Sequence, residues 1–317
     1  MKNEAVKTGD LAEAFASIVG SGYVLTDEPM DRHTSMRVGG PADYFIVPGS
    51  AEELRKVLEL SDKAEMPVFV MGNGSNLLVS DDGVRGAVVR IGKRMSGINV
   101  EGETVRAEAG ILLSALAAAA LEHELSGLEF AGGIPGSLGG ACVMNAGAYG
   151  GEMKDVLKRV TCLDENHAVV TLEAEELCLG YRSSIFMKRP MVAVSAELEL
   201  KRGNRDQMIA VMDDFRERRQ SKQPLELPSA GSTFKRPVGY FAGKLIMDAG
   251  LSGYRIGGAK VSEKHCGFIV NDGDACAADV LALIRHVRKT VAEQFGVQLE
   301  PEVRLVGSFR EEDSCGL

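Results

Sequence analysis

Apolar positions along this chain follow two different periods. Tyr44-Phe-Ile-Val reads as a strand, and Ser50-Ala-Glu-Glu53 as a capping box opening a helix whose Leu54, Val57, Leu58 and Leu60 lie largely on one side. Pro67 closes that helix and Val68-Phe-Val-Met comes next as a buried strand, so residues 44–71 predict a parallel, right-handed strand-helix-strand unit. Further strands are predicted at residues 87–91, 104–108, 160–163, 169–172 and 192–200. The last alternates Val194, Ala196, Leu198 and Leu200 on one face. A helix is predicted over residues 115–124. From Arg205 to Ser221 the period becomes helical, with Met208, Val211, Met212 and Phe215 on one stripe and Arg216, Arg218 and Arg219 near the C-terminal end. Pro224 and Pro228 mark a boundary. A last long helix carries Val280, Leu283, Ile284, Val287 and Val291, with Gly296 as its stop, and the acidic tail 310–317 is expected to fray. The mixture is α+β, without internal repeats.

Two glycine-rich segments interrupt the pattern. From Phe130 to Gly151 the chain has eight glycines and no charged side chain. Ordered glycine is costly, so such density suits backbone that turns at positive φ or comes very close to something. Pro135, Ser137 and Asn145 argue against a membrane span, and Ile134, Leu138, Val143 and Met144 against a linker. A ligand-cradling loop, its N–H groups turned toward a phosphate, is the better reading. The second segment, Gly72-Asn-Gly-Ser-Asn76, comes after a strand as a Rossmann fingerprint would. Its sixth position is Leu77, however, and the residues after it read as another loop and strand instead of a helix. Gly239-Tyr-Phe-Ala-Gly-Lys244 has the wrong spacing for a phosphate-binding NTPase loop and ends in Leu245. One large ligand with a diphosphate and two ring systems, such as FAD, would use both segments.

Length and charge narrow the class. A chain of 317 residues predicts about two domains, and 45% hydrophobic with 26% charged residues is ordinary for a globular protein. A formal charge of -9 argues against nucleic-acid or anionic-membrane binding. Between residues 235 and 264, six basic residues (Lys235, Arg236, Lys244, Arg255, Lys260, Lys264) stand against Asp248 and Glu263. That segment either faces an anionic small molecule or is a solvated surface. The six cysteines lack metal or redox spacing and read as reduced thiols, and the five histidines lie far apart, so no metal site is expected. Residues 1–30 lack a secretory pattern. A cytoplasmic protein is expected.

At the glycine-rich loops the chain resembles the UDP-N-acetylenolpyruvoylglucosamine reductases, flavoenzymes that complete UDP-N-acetylmuramate for peptidoglycan. The matching blocks cover most of the chain: His33-Thr-Ser-Met-Arg-Val-Gly-Gly-Pro-Ala, Gly72-Asn-Gly-Ser-Asn-Leu-Leu, Gly132-Gly-Ile-Pro-Gly-Ser-Leu-Gly-Gly-Ala, Gly180-Tyr-Arg-Ser-Ser, Ala230-Gly-Ser-Thr-Phe-Lys, Gly257-Gly-Ala and Pro301-Glu-Val-Arg. The resemblance implies a two-lobed FAD-binding region of the vanillyl-alcohol-oxidase type plus an α+β substrate domain. The implied divisions are an N-terminal helical extension (1–20), lobe one (21–90, rejoined by 303–317), lobe two (91–203) and the substrate domain (204–302).

FAD, bound noncovalently, would lie on Gly72, Asn73, Gly74, Ser75 and Asn76 and on Gly132, Gly133, Ile134, Pro135, Gly136, Ser137, Gly139, Gly140 and Ala141. NADPH would be the hydride donor and UDP-N-acetylglucosamine enolpyruvate the substrate. The resemblance makes Arg182 the cation beside the developing enolate, Ser232 the proton donor to carbon, and Glu302 a partner of the enol or of the proton relay, a role that favours a protonated carboxyl. Lys222, Lys235 and Arg304 would be substrate-side cations, with Tyr254 and Lys264 near the uridine diphosphate. Taken singly, such an arginine suits a surface ion pair, such a serine a turn, and such a glutamate a solvated position.

The span between Arg182 and Ser232 resembles the shorter branch of the family, which lacks an insertion bearing a substrate-covering tyrosine. A monomer that binds neither nucleic acid nor membrane is expected. Two other readings are an oxidase of the same superfamily, disfavoured by the Gly-Ser-Thr-Phe-Lys and Pro-Glu-Val-Arg blocks, and a noncatalytic nucleotide-sugar binder, disfavoured by the intact glycine loops.

Overall fold

The computed structural model describes residues 8–309. The chain divides into two compact units, one of residues 1–27, 43–73 and 86–217, the other of residues 28–42, 74–85 and 218–317.

The first unit is built on two sheets. In the four-stranded sheet the spatial order is Val24–Pro29, Pro41–Ile46, Val84–Arg90, Val68–Met71. The two predicted strands and the helix Ala51–Lys63 between them are present, but the strands are not neighbours: Val84–Arg90 inserts between them and pairs in parallel with Val68–Met71. The helix opens as its sequence suggests. Ser50 Oγ accepts from Glu53 N at 3.1 Å, while the Glu53 carboxylate accepts from Gly49 N at 2.7 Å, one residue before the position a reciprocal box would use. Leu54, Val57 and Leu58 are buried in the core beneath this sheet. Helix Thr8–Val19 adds Phe15, fully buried edge-on against Tyr44 with ring centres 5.7 Å apart.

The five-stranded sheet is antiparallel throughout, in the order Val169–Glu173, Leu157–Leu163, Val192–Glu199, Thr104–Glu108, Ile98–Glu101. Its strand Val192–Glu199 does not alternate cleanly. Thr161 faces Ser195 and Cys162 faces Ala193, which leaves Val194 as the extra residue of a bulge, and Val194 joins the core of the other sheet while Ala196 and Leu198 stay in this one. Helices Leu113–Glu122 and Leu138–Met144 bury Leu113, Leu116, Leu138 and Ala141 in this core. The helix Arg205–Lys222 is narrower in its apolar face than its pattern suggests: Met208 is buried, Met212 and Phe215 are partly buried against the same core, and Val211 is 40% exposed.

The second unit has an antiparallel sheet in the order Ser229–Ser232, Phe268–Asn271, Ala259–Val261, Arg255–Ile256. Helix Ala277–Phe295 buries Val280, Leu283, Ile284, Val287 and Val291 completely, as the period predicts, and ends at Gly296 with φ 68°. Its N-terminus is capped from a distant segment, the Asp81 carboxylate accepting from Ala277 N at 2.7 Å and Ala278 N at 2.9 Å. A short parallel pair joins Leu77–Val79 to Arg304–Val306. Among the described residues no helix is long and apolar enough to cross a membrane. The expected fraying of residues 310–317 lies outside the described residues, as does Cys315.

Candidate functional site

The glycine-rich run is not one loop. Residues 132–137 are irregular, Leu138–Met144 is a short helix, Asn145 turns left-handed at φ 42°, and two short strands, Gly147–Ala148 and Gly151–Glu152, form a hairpin. Its glycines serve mainly close approach. A Cβ on Gly151 would lie 2.6 Å from the Phe130 ring, and one on Gly139 would lie 3.0 Å from the Ala109 Cβ. Gly150 is the glycine of this run whose φ, 92°, a side chain would resist.

Two contacts join this run to the other glycine segment. Asn73 Nδ2 donates to Pro135 O at 2.7 Å, and a Cβ on Gly72 would lie 2.2 Å from Ser137 Oγ. That hydroxyl is buried without a hydrogen-bond partner in the protein. An unsatisfied buried hydroxyl costs about 1–3 kcal/mol. A donor held beside two side-chain-free backbones fits a group that brings acceptor oxygens of its own, and a cofactor diphosphate is such a group. Of the predicted contacts, Gly72, Asn73, Gly132, Gly133, Ile134, Pro135, Gly136, Ser137, Gly139, Gly140 and Ala141 fall in the first unit, whereas Gly74, Ser75 and Asn76 fall in the second.

Arg182 sits at the tip of a two-residue turn. Gly180 N donates to Ser183 O at 3.0 Å and Ser183 N to Gly180 O at 3.2 Å, with Arg182 at φ 51°. A left-handed arginine is uncommon and must be held by its surroundings. Its Nη2 donates to Gly147 O at 3.1 Å, and the guanidinium lies 5.1 Å from the Tyr181 ring centre.

Ser232 and Glu302 are brought together by backbone. Glu302 N donates to Thr233 O at 2.8 Å, Lys235 N donates to Glu300 O at 2.9 Å, and Phe234 faces Pro301 in an antiparallel bridge. Ser232 is exposed at the end of strand Ser229–Ser232, and Glu302 is half-buried. Thr233, between Ser232 and Phe234, is buried and fixes the segment from both sides, its N donating to Gly267 O at 2.8 Å and its Oγ1 accepting from Ile269 N at 3.0 Å. Asn76 reaches the same place: its Nδ2 donates to Glu302 O at 3.0 Å and its carbonyl accepts from Arg304 N at 3.0 Å.

The basic surplus of residues 235–264 is largely paired by acids outside that window. Lys235 pairs with Glu300, Arg255 and Lys260 with Asp272 at 2.8 and 3.1 Å, and Lys264 with Glu226 at 3.5 Å. Lys244 pairs within it, with Asp248 at 2.7 Å. Arg236 covers the Phe241 ring at 4.0 Å. Tyr254 stacks on His286, ring centres 4.3 Å apart. Strand order puts Arg255–Ile256, just after Tyr254, three strand spacings from the edge strand that carries Ser232, or about 14 Å. Lys222 is exposed at the end of its helix and Arg304 is exposed on the final strand.

Sequence reasoning gave no positioning role to Asn145, Glu152, Ser184 and Asp81, which hold turns and a helix end. For Asn145 a signal existed, the one side-chain amide among glycine and apolar neighbours in an uncharged run. No cluster of acidic, histidine or cysteine side chains among the described residues could hold a metal.

Two α+β units, with paired glycine segments closing on an unsatisfied hydroxyl, define a protein of the FAD-binding class, and residues 42–173 match the family described as FAD binding domain. Residues 223–306 match the family described as UDP-N-acetylenolpyruvoylglucosamine reductase, C-terminal domain. The chain belongs to the UDP-N-acetylenolpyruvoylglucosamine reductase family. It is 52% identical over 297 residues to the protein of that name from Caldanaerobacter subterraneus, covering 94% of this chain and 98% of the relative. It is 53% identical over 295 residues to the one from Alkaliphilus oremlandii, covering 93% and 97%. The crystal structure of the reductase from Thermus caldophilus superposes with a TM-score of 0.77 at 37% identity, covering 89% of this chain and 98% of that one.

Proposed function

We propose that this chain is the NADPH-dependent flavoenzyme that reduces UDP-N-acetylglucosamine enolpyruvate to UDP-N-acetylmuramate, acting as a cytoplasmic monomer. The observation that carries the reading is the backbone pairing of the Ser232 and Glu302 segments in a chain of this family. Residues 21–203 are the region assigned to the cofactor and residues 204–302 the region assigned to the substrate. Bound FAD would supply two-electron chemistry, taking hydride from NADPH and passing it to the terminal methylene carbon of the enolpyruvyl ether.

The residues of the chain then have separable tasks. Ser137 and the backbone of the two glycine segments would hold the cofactor diphosphate. Arg182 offers a permanent cation to the carboxylate, on whose oxygens negative charge grows as the neighbouring carbon becomes enolate-like. Ser232 gives its hydroxyl proton to that carbon, which completes the lactyl ether. Glu302 hydrogen-bonds to the enol or returns a proton toward Ser232. One hydride and one proton are added across the double bond, and NADP+ is the oxidised product. Lys222, Lys235 and Arg304 hold the substrate on its anionic side, with Tyr254 and Lys264 toward the uridine diphosphate.

Purified protein loaded with FAD should oxidise NADPH only when UDP-N-acetylglucosamine enolpyruvate is added, with UDP-N-acetylmuramate formed in equal amount. A flavin-loaded protein that reduces oxygen at the same rate without the enolpyruvyl substrate would instead be an oxidase.

A further inference from the structure

The catalytic role given to Arg182 depends on a strained turn, and the atoms that hold the turn lie mostly in the second half of the glycine-rich run. Asn145 is completely buried, with φ 42°. Its side chain reaches three partners. Nδ2 donates to Glu152 Oε2 at 2.8 Å and to Gly180 O at 3.0 Å, and Oδ1 accepts from Lys154 N at 2.9 Å. Both amide protons and the amide oxygen are therefore used. The Gly180 carbonyl that receives one of those protons is the carbonyl that closes the Arg182 turn by accepting from Ser183 N. Two further bonds run from the turn to the same segment, Ser184 Oγ to Val143 O at 2.7 Å and Arg182 Nη2 to Gly147 O at 3.1 Å.

Asparagine suits this position for two reasons at once. It tolerates the left-handed conformation better than other residues with side chains, and it carries two donors and one acceptor on a short stem. Aspartate has no proton for the Glu152 carboxylate or the Gly180 carbonyl. Glycine accepts the φ but makes no bond. An alanine would give up the bonds and keep the strain.

We propose that Asn145 is a positioning residue for Arg182, holding the Gly180–Ser183 turn so that the guanidinium points where the substrate carboxylate will be. This inference rests on the catalytic reading of Arg182 given above. A misplacement of about 1 Å can cost on the order of 100-fold in rate, so a loosened turn affects the substrate half-reaction while leaving the NADPH half-reaction alone.

Four variants test it by stopped-flow measurement of the two half-reactions. In Asn145→Gly, flavin reduction by NADPH should match the parent, while oxidation of the reduced enzyme by UDP-N-acetylglucosamine enolpyruvate slows by about 10- to 100-fold. Amide exchange at Ser183 in the same variant should quicken by about 10-fold or more, since the closing bond has lost its buttress. The double variant Asn145→Gly/Arg182→Ala should be no slower than Arg182→Ala alone, because Asn145 acts through the arginine. A double variant slower by the product of the two single effects, or parent-like oxidation in Asn145→Gly, overturns the proposal. Parent-like oxidation in Arg182→Ala removes the catalytic reading of the arginine itself, and with it the role given to Asn145. If Asn145→Gly yields no folded flavoprotein, Asn145→Asp decides. Aspartate cannot supply both protons in either protonation state, so oxidation of this variant by the enolpyruvyl substrate should slow by about 10- to 100-fold with flavin reduction by NADPH unchanged, and parent-like oxidation overturns the proposal.

Discussion

The backbone amide of Glu302 donates to the carbonyl of Thr233 at 2.8 Å, so the glutamate and the serine that precedes Thr233 are carried on paired segments. The separation of their backbones is then set by that pairing. Ser232→Ala should leave flavin reduction by NADPH intact and slow reoxidation by the enolpyruvyl substrate by about 100- to 10,000-fold. Glu302→Ala should slow the same step. If the two act as one proton-transfer unit, the double variant is no slower than the slower single one. Multiplying effects in single-turnover measurements would separate their roles.

Ser137 and Gly72 make opposite predictions for the apoprotein and the holoprotein. Removing the partnerless hydroxyl in Ser137→Ala should leave apoprotein stability unchanged or raise it, because an unsatisfied buried group is lost. FAD affinity should fall by roughly 10- to 100-fold, the worth of one hydrogen bond to a charged group. Gly72→Ala brings a methyl group within 2.2 Å of that hydroxyl and should lower flavin content more severely. Fluorescence titration of apoprotein with FAD, beside thermal melts, measures both.

Thiol chemistry should sort the cysteines by environment. Burial pushes the Cys142 thiol up to about 12 and the Cys162 thiol up to about 11. Almost no thiolate then exists at either at neutral or mildly alkaline pH, and neither sulfur is accessible to a reagent. Cys178 is exposed. Iodoacetamide at pH 8 with subsequent peptide mass mapping should show Cys178 alkylated in the native protein and Cys142 and Cys162 alkylated only after denaturation. Native-state labelling of Cys142 at the rate of Cys178 would contradict its burial.

The features legible in the sequence were local ones. Helix Ala277–Phe295 is explained by five aliphatic residues on one stripe and a glycine stop, and the Ser50 cap by a serine three residues before a glutamate. Features fixed by distant contacts were hidden. Nothing near Val84 says that its strand will separate Pro41–Ile46 from Val68–Met71, and nothing near Val194 announces the bulge that sends it to another core. The same holds for charge. Asp272, Glu226 and Glu300 neutralise a basic surplus from outside the window in which it was counted. Resemblance named Arg182, Ser232 and Glu302, but the pairing of the last two segments arises only when residues 233–235, just after strand Ser229–Ser232, meet residues 300–302. Asn145 carries the reverse lesson: its residue type is visible in the sequence, but its role depends on a carbonyl in a turn far along the chain.

His265 should make stability depend on pH in a definite direction. Its ring is substantially buried, and desolvation holds its pKa below the usual imidazole value. Nδ1 accepts from Gly267 N at 3.1 Å, which fixes a neutral tautomer with the proton on Nε2. The ring also lies edge-on to Phe268, with centres 5.1 Å apart, and close to the backbone of Gly243. In the unfolded chain the histidine takes up its proton near pH 6.5, whereas in the folded chain it does so only at lower pH. Between those two values the unfolded state binds more protons, so the free energy of unfolding rises with pH there. The contribution is complete above about pH 6.5 and is lost as pH falls toward the folded-state value. Urea midpoints measured from pH 7.5 down to pH 5 should decline in the parent beyond what the carboxylates produce. His265→Asn retains an acceptor near Gly267 N without a titrating group, so the decline over this range should be shallower in that variant. Parallel slopes in the two proteins would mean that His265 is protonated as readily in the fold as outside it.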